Sequence, residues 1–123
     1  LAGCGLHAAV PAPVERGRIR LRLSNHPRLA ERDGFLKVRP DGASRLLYIL
    51  STEDGFVAVS PVCTHQGCTV DVEGSRLVCP CHGSEYERTG RVLRGPAERS
   101  LERYPVELPG DGTMEVILNR SAT

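Results

Sequence analysis

Two short segments constrain this chain more than anything else in it: Cys63-Thr64-His65-Gln66-Gly67-Cys68 and Cys79-Pro80-Cys81-His82-Gly83-Ser84. They hold four of the five cysteines and two of the four histidines. Each follows a strand pattern, and residues 69–72 and 76–78 around Glu73-Gly74-Ser75 read as a hairpin between them. A hairpin returns the chain on itself. Both segments can therefore meet at one end of a sheet and offer Cys and His to a shared centre. Cysteines so clustered serve metals in a reducing compartment and disulfides in an oxidising one.

The rest of the sequence supplies short strands. Arg18-Ile19-Arg20-Leu21-Arg22-Leu23 alternates charged and aliphatic residues with period two, as a half-buried strand does. Residues 46–50 are apolar throughout, so that strand is expected to be central. Further strands are expected at 35–38, 56–60, 86–88, 91–93, 104–108 and 114–118, and one helical turn at 29–33. Thirteen Gly and nine Pro punctuate them. Pro40-Asp41-Gly42, Glu53-Asp54-Gly55, Thr89-Gly90 and Pro109-Gly110-Asp111-Gly112 carry turn chemistry. The pattern predicts an all-β chain, an antiparallel sandwich, with a small subdomain at about 61–97 that carries the two Cys/His segments. Residues 1–17, rich in Ala, Pro and Gly, read as a tether ahead of a single domain at 18–123.

The donor set suits a 2Fe–2S cluster, one per chain. Such a cluster has two tetrahedral irons, and each iron needs two protein ligands. Cys63 and Cys79 would serve one as thiolates, and His65 and His82 the other as neutral imidazoles. Two imidazoles in place of two thiolates remove negative charge, so an electron enters more easily. The potential then rises to roughly −150 to +300 mV, well above an all-cysteine cluster. Four cysteines less two ligands leave Cys68 and Cys81, one on each segment, which as a disulfide would clamp the two together. That bond predicts an oxidising compartment. Zinc could use the same four residues, but the spacing is not that of a zinc finger, and Cys68 and Cys81 would be left unexplained. Catalytic Cys–His chemistry fits less well, because no orienting carboxylate or amide stands near the pair in sequence.

C-T-H-x-G-C followed by C-P-C-H-G-S resembles the Rieske proteins of cytochrome bc and b6f complexes and their bacterial relatives. The resemblance spans about residues 57–108. It implies the same ligands and disulfide, with histidines bound through Nδ1 and Nε2 toward solvent. Ser84 and Tyr86 resemble the hydroxyl pair of the high-potential subgroup. Ser84 would donate to a bridging sulfide and Tyr86 to the Cys63 thiolate, both raising the potential. Gly95-Pro96-Ala97 is similar to the loop that covers the cluster's third side. The resemblance further implies one-electron transfer within a quinol:cytochrome c oxidoreductase-like chain, with quinol, a cytochrome b and a c-type cytochrome as partners. His65 or His82 would then accept the quinol proton. Ring-hydroxylating oxygenases and their ferredoxins lack the extra Cys pair and the Ser–Tyr pair, and so match less well. Gln66 and Glu98 depart from the pattern, since quinol-oxidising relatives commonly carry Leu and Pro there. These departures weaken quinol docking, leave the cluster ligands untouched, and keep open the alternative of a free-standing carrier or a small subunit of an arsenite-oxidase-like complex.

The remaining expectations concern location. Leu1-Ala2-Gly3-Cys4 resembles a lipobox, which makes Cys4 a candidate for lipidation, or else the exit of a membrane anchor. The domain is expected outside the cytoplasm, in the periplasm or on the outer face of the membrane. A formal net charge of +1 gives no case for a nucleic-acid partner. His7 and His26 read as tether and turn residues without a role.

Overall fold

The computed structural model describes residues 9–43, 45–64 and 67–118. Cys4, His7, His65 and Gln66 lie outside the described residues. The chain forms strands β1 (Val10–Ala12), β2 (Val14–Glu15), β3 (Arg18–Arg22), β4 (Phe35–Pro40), β5 (Leu47–Thr52) and β6 (Gly55–Val59). Then follow β7 (Asp71–Glu73), β8 (Arg76–Val78), β9 (Glu85–Glu87) and β10 (Val92–Arg94). The chain returns through β11 (Arg103–Tyr104), β12 (Val106–Glu107) and β13 (Thr113–Ile117). Three sheets result: β1-β4-β5-β6-β11, β12-β13-β3-β2, and β10-β9-β8-β7.

The five-stranded sheet is the middle layer, and β5 shows why. Its Leu47 and Ile49 face one core with Ile19, Leu21, Met114 and Val116 of the β3–β13 pair. Its Tyr48 and Leu50 face a second core with Leu77, Tyr86, Cys63 and Cys79. A strand buried on both faces has no polar alternation, which is the pattern read at 46–50. β6 alternates likewise: Ala58 enters the first core, Val57 and Val59 the second. Every strand pairing is antiparallel except that of β1 with β4.

Three expectations shift in position. The stretch read as a tether contributes β1 and β2: Val10 aligns with Val38, and Val14 with Ile19. β1 is an edge strand, where Pro11 needs no N–H for a ladder, and Ala12 is buried. The β2–β3 hairpin turns through Arg16 and Gly17, both at positive φ (54° and 76°), a turn for which Arg gives little sequence signal. The helical turn expected at 29–33 lies earlier, as 3-10 turns over Leu23–Asn25 and Pro27–Ala30, the second opened by a proline. The strand expected at 104–108 divides at Pro105, which has no N–H to extend a ladder. β11 pairs with β6 in the middle sheet, while β12 pairs with β13 in the outer one.

Arg88 fastens the β7–β10 sheet to the middle sheet. It is 8% exposed. Its Nε donates to the Ser51 carbonyl at 3.0 Å and Nη1 to the Gly74 carbonyl at 2.7 Å. Nη2 donates to the Gly34 carbonyl, and that oxygen also accepts the Ser51 N–H. A side chain at Gly34 would collide with the Arg28 carbonyl. Burial lowers the Arg88 pKa, and nearby Asp33 opposes that shift. Hydrogen bonds to charged groups contribute about 1.5–3 kcal/mol each, partly offset here by the cost of burying the cation. Arg88→Met is expected to lose about 2–4 kcal/mol in chemical denaturation. A loss below about 0.5 kcal/mol would show that water replaces the guanidinium at all three carbonyls.

Candidate metal centre

The described ends of the two Cys/His segments share one hydrogen-bond pattern. In the first, the Cys63 N–H donates to the Cys68 carbonyl at 2.7 Å, and the Gly67 N–H to the Cys63 carbonyl at 2.9 Å. In the second, the Cys79 N–H donates to the Ser84 carbonyl at 2.8 Å, and the Gly83 N–H to the Cys79 carbonyl at 2.9 Å. Gly67 and Gly83 both sit at φ +82°, in the left-handed region that glycine enters without strain. Each segment thus closes on its leading cysteine through the same pair of bonds. The first is rooted by the Val62–Thr69 bridge and by the Val70 N–H, which donates to the Pro61 carbonyl at 2.8 Å. The buried Tyr48 hydroxyl reaches from β5 to the Val70 carbonyl at 2.9 Å. Its pKa is pushed up to about 12, chiefly by burial, so it remains a donor at ordinary pH.

Cys68 and Cys81 form a disulfide between the segments, with Cα atoms 6.5 Å apart. Cys63 and Cys79 lie outside any disulfide, each 2% exposed. The sulfurs of Cys68, Cys79 and Cys81 lie within 4.8 Å of one another. Two of these three are bonded together and offer no thiolate, so the trio is not itself a metal site. It shows instead that the disulfide packs against the Cys79 sulfur. His82 and Gly83 are exposed at the tip.

Two hydroxyls approach this region from β9 and the turn before it. The Tyr86 hydroxyl is 3.2 Å from the Cys63 sulfur and 3.2 Å from the Thr64 hydroxyl, and it accepts the Thr64 N–H at 3.2 Å. Proton counting assigns the directions. The Thr64 hydroxyl donates its one proton to the Arg99 carbonyl at 2.6 Å, so it has none for Tyr86. The Tyr86 proton therefore goes to Thr64 or to Cys63. A thiolate at Cys63 is the stronger acceptor, because a charge-assisted bond outweighs a neutral one. Burial first, then the bond to Cys63, raises the Tyr86 pKa and keeps that proton on the phenol. Ser84 is fully buried, and its Oγ accepts the Ala97 N–H at 3.0 Å. Its own proton has no acceptor among the described residues.

These observations fit a group of sulfur-bearing, electron-accepting chemistry. Two buried thiols lead two matched segments, one hydroxyl proton is available to the Cys63 sulfur, and a second buried hydroxyl has a proton to give. Ala97, 4% exposed, packs in the same core as Cys63 and Cys79. Arg94, at the end of β10, is 3.8 Å from the Glu85 carboxylate, and Arg76 meets the same carboxylate at 2.7 Å. The carboxylate of Glu85 thus bridges β8, β9 and β10. Tyr48 and Thr64 had no sequence signal for these roles, and Ala97 was legible only through the resemblance of Gly95-Pro96-Ala97 to a covering loop. Thr64 stood inside the first motif, but its relay to Arg99 depends on a contact 35 positions away.

Comparison with known proteins agrees with this geometry. Cytochrome b6-f complex iron-sulfur subunit 1 of the Cyanophora paradoxa cyanelle is 44% identical over 72 residues, 54% of this chain and 30% of that protein. The cytochrome b6-f complex iron-sulfur subunit of Synechococcus elongatus is 49% identical over 59 residues, 44% of this chain and 33% of that one. The aligned part is thus about a third of the length of these relatives. Among solved structures, the plasma membrane Rieske protein PetC3 of Synechocystis PCC 6803 is 36% identical with a TM-score of 0.57, over 68% of this chain and 85% of that one. A quaternary ammonium Rieske monooxygenase, 18% identical over 79% of this chain and 31% of its own, shares the fold alone, with a TM-score of 0.65. The Rieske [2Fe-2S] domain model matches residues 23–105. The chain belongs to the Rieske [2Fe-2S] domain family, whose cofactor is a two-iron, two-sulfide cluster.

Proposed function

We propose that this domain transfers single electrons at high potential, through a 2Fe–2S cluster bound by Cys63 and Cys79 on one iron and His65 and His82 on the other. The observation that carries this reading is the disulfide-joined pair of matched segments with buried Cys63 and Cys79 thiols at their heads. Once bound, the cluster supplies a centre that takes up or releases one electron without a bond being made or broken. The chain's own residues decide how readily that happens. Tyr86 donates toward Cys63 and Ser84 toward the sulfide side. Each bond is worth more when the site carries the extra negative charge, so both favour reduction. Leu77, Val70 and Ala97 keep water from the sulfurs. His82, exposed at the tip, is placed to meet a partner.

The wider setting follows from the same features. The Cys68–Cys81 disulfide suits an oxidising compartment, so the domain acts on the extracytoplasmic side of a membrane. Residues ahead of β1 act as its tether, with Cys4 as a lipid attachment point or anchor exit. The named relatives support a subunit of a quinol-oxidising complex, with cytochrome b and c-type cytochrome partners. In that setting Nε2 of His65 or His82 accepts the quinol proton as the electron leaves. A second reading, a free-standing carrier or the small subunit of another redox enzyme, is favoured by polar Gln66 in the first segment and by exposed Glu98 beside the cover.

Purified protein is expected to contain iron and acid-labile sulfide, and its reduced form to give a paramagnetic resonance signal of mixed nitrogen and sulfur ligation. Absence of iron, or ligation by sulfur alone, overturns the assignment. Ser84→Ala and Tyr86→Phe should each keep the cluster and lower the midpoint potential by tens of millivolts, up to about 130 mV. This converts about 1–3 kcal/mol at 59 mV per 1.4 kcal/mol for one electron. Potentials equal to wild type in both variants would exclude the two hydrogen bonds. Cys68→Ser with Cys81→Ser is expected to cost about 2–5 kcal/mol and to speed cluster loss, followed by visible absorbance. Unchanged cluster lifetime would show that the clamp is dispensable.

A further inference from the structure

A cleft of about 390 Å³ runs along the flank of the first Cys/His segment, lined by Arg39, Arg45, Leu46, Pro61, Val62, Gly67 and Thr69. Its composition is one-sided. Arg39 and Arg45 are exposed, and neither has a carboxylate partner among the described residues. No acidic side chain among the described residues lines it. A larger cleft of about 560 Å³ over β2 and β3 differs in this respect. There Arg18 is neutralised by Glu107 and Glu115, at 2.8 and 2.9 Å, and Arg20 by Glu115 at 2.8 Å. The smaller cleft therefore presents two uncompensated guanidinium groups over an apolar floor of Leu46, Pro61 and Val62.

Its position gives those charges a use. Gly67 forms part of the wall, and the Gly67 N–H donates to the Cys63 carbonyl at 2.9 Å. A molecule seated in the cleft is thus one backbone hydrogen bond from a cysteine that heads the metal centre. Guanidinium groups pair with carboxylates in a planar, two-bond geometry. Charged patches of this kind steer encounter and fix orientation more than they add affinity, which suits a partner that must leave after each electron.

From this geometry we infer that the Arg39–Arg45 cleft is a docking surface for the acidic rim of a redox protein. The inference rests on the electron-transfer reading above and names the character of the partner. The carboxylates of that rim meet Arg39 and Arg45, and the partner's own redox centre lies toward Gly67.

The test uses the holo-protein, reduced and mixed in a stopped-flow instrument with an acidic c-type cytochrome and, separately, a basic one. At low ionic strength wild type is expected to react faster with the acidic cytochrome. Arg39→Glu with Arg45→Glu should slow that reaction tenfold or more, speed the reaction with the basic one, and leave the midpoint potential unchanged. In molar salt the differences should vanish, since the screening length falls to about 3 Å. Arg22→Glu with Arg32→Glu changes net charge equally but lies on β3 and beyond the opposite end of β4, so it should have little effect. Equal slowing by both pairs would reduce the effect to net charge and overturn the inference. So would an unaltered rate in the Arg39/Arg45 variant, or a shifted potential. Binding of wild type, but not that variant, to phosphatidylglycerol vesicles would assign the cleft to a membrane surface and also overturn it. In each case the iron content and midpoint potential report separately on the electron-transfer reading.

Discussion

The Cys68–Cys81 bond turns two separate turns of chain into one jaw. Apart from it, the two segments are joined through the β7–β8 hairpin, the packing beneath it and the Tyr86 hydroxyl that meets Cys63 and Thr64. With it, the leading cysteines are held at the heads of two loops closed by the same pair of hydrogen bonds, and both are buried. The order already present in the protein lowers the entropy that a bound group must overcome. Most of the surrounding contacts support this jaw. Tyr48 roots the first segment through Val70, Tyr86 and Thr64 link Cys63 to the Arg99 carbonyl, and Ser84 holds the cover at Ala97.

The shared hydrogen-bond pattern of the two segments contrasts with unmatched chemistry. Both segments bring cysteine to the first position and left-handed glycine to the fifth, yet their neighbours differ. The Cys63 sulfur has a phenol within hydrogen-bonding reach, whereas the Cys79 sulfur packs beside the disulfide. The two thiols thus meet different surroundings from nearly the same fold, one polar and directional, the other polarisable.

How much of this was legible in the sequence depends on the range of the interaction. The paired motifs and the all-apolar run of β5 are local patterns, and both read through to the structure: the motifs to the buried thiols and the disulfide, the run to a doubly buried strand. Edges were harder. β1 and β2 are three and two residues long, too short for any period to register, and the Arg16–Gly17 turn lacks the usual Asn or Asp. Pro105 shows a different failure: apolar residues on both sides suggested one strand, and only the missing N–H explains why the chain changes sheets there. The Tyr86–Cys63 contact was legible through the family resemblance, but long-range polar contacts outside the motifs left no trace. An arginine at 88 looks like a surface residue until Gly34, Ser51 and Gly74 converge on it.

β5 belongs to both cores at once. Hydrogen-bonded to β4 on one edge and β6 on the other, with side chains buried on either face, it has no route to solvent short of general opening. Its amides should be among the slowest in the molecule to exchange with heavy water. The outer sandwich and the metal-facing half therefore melt as one cooperative unit, because opening either half strips one side of the same strand.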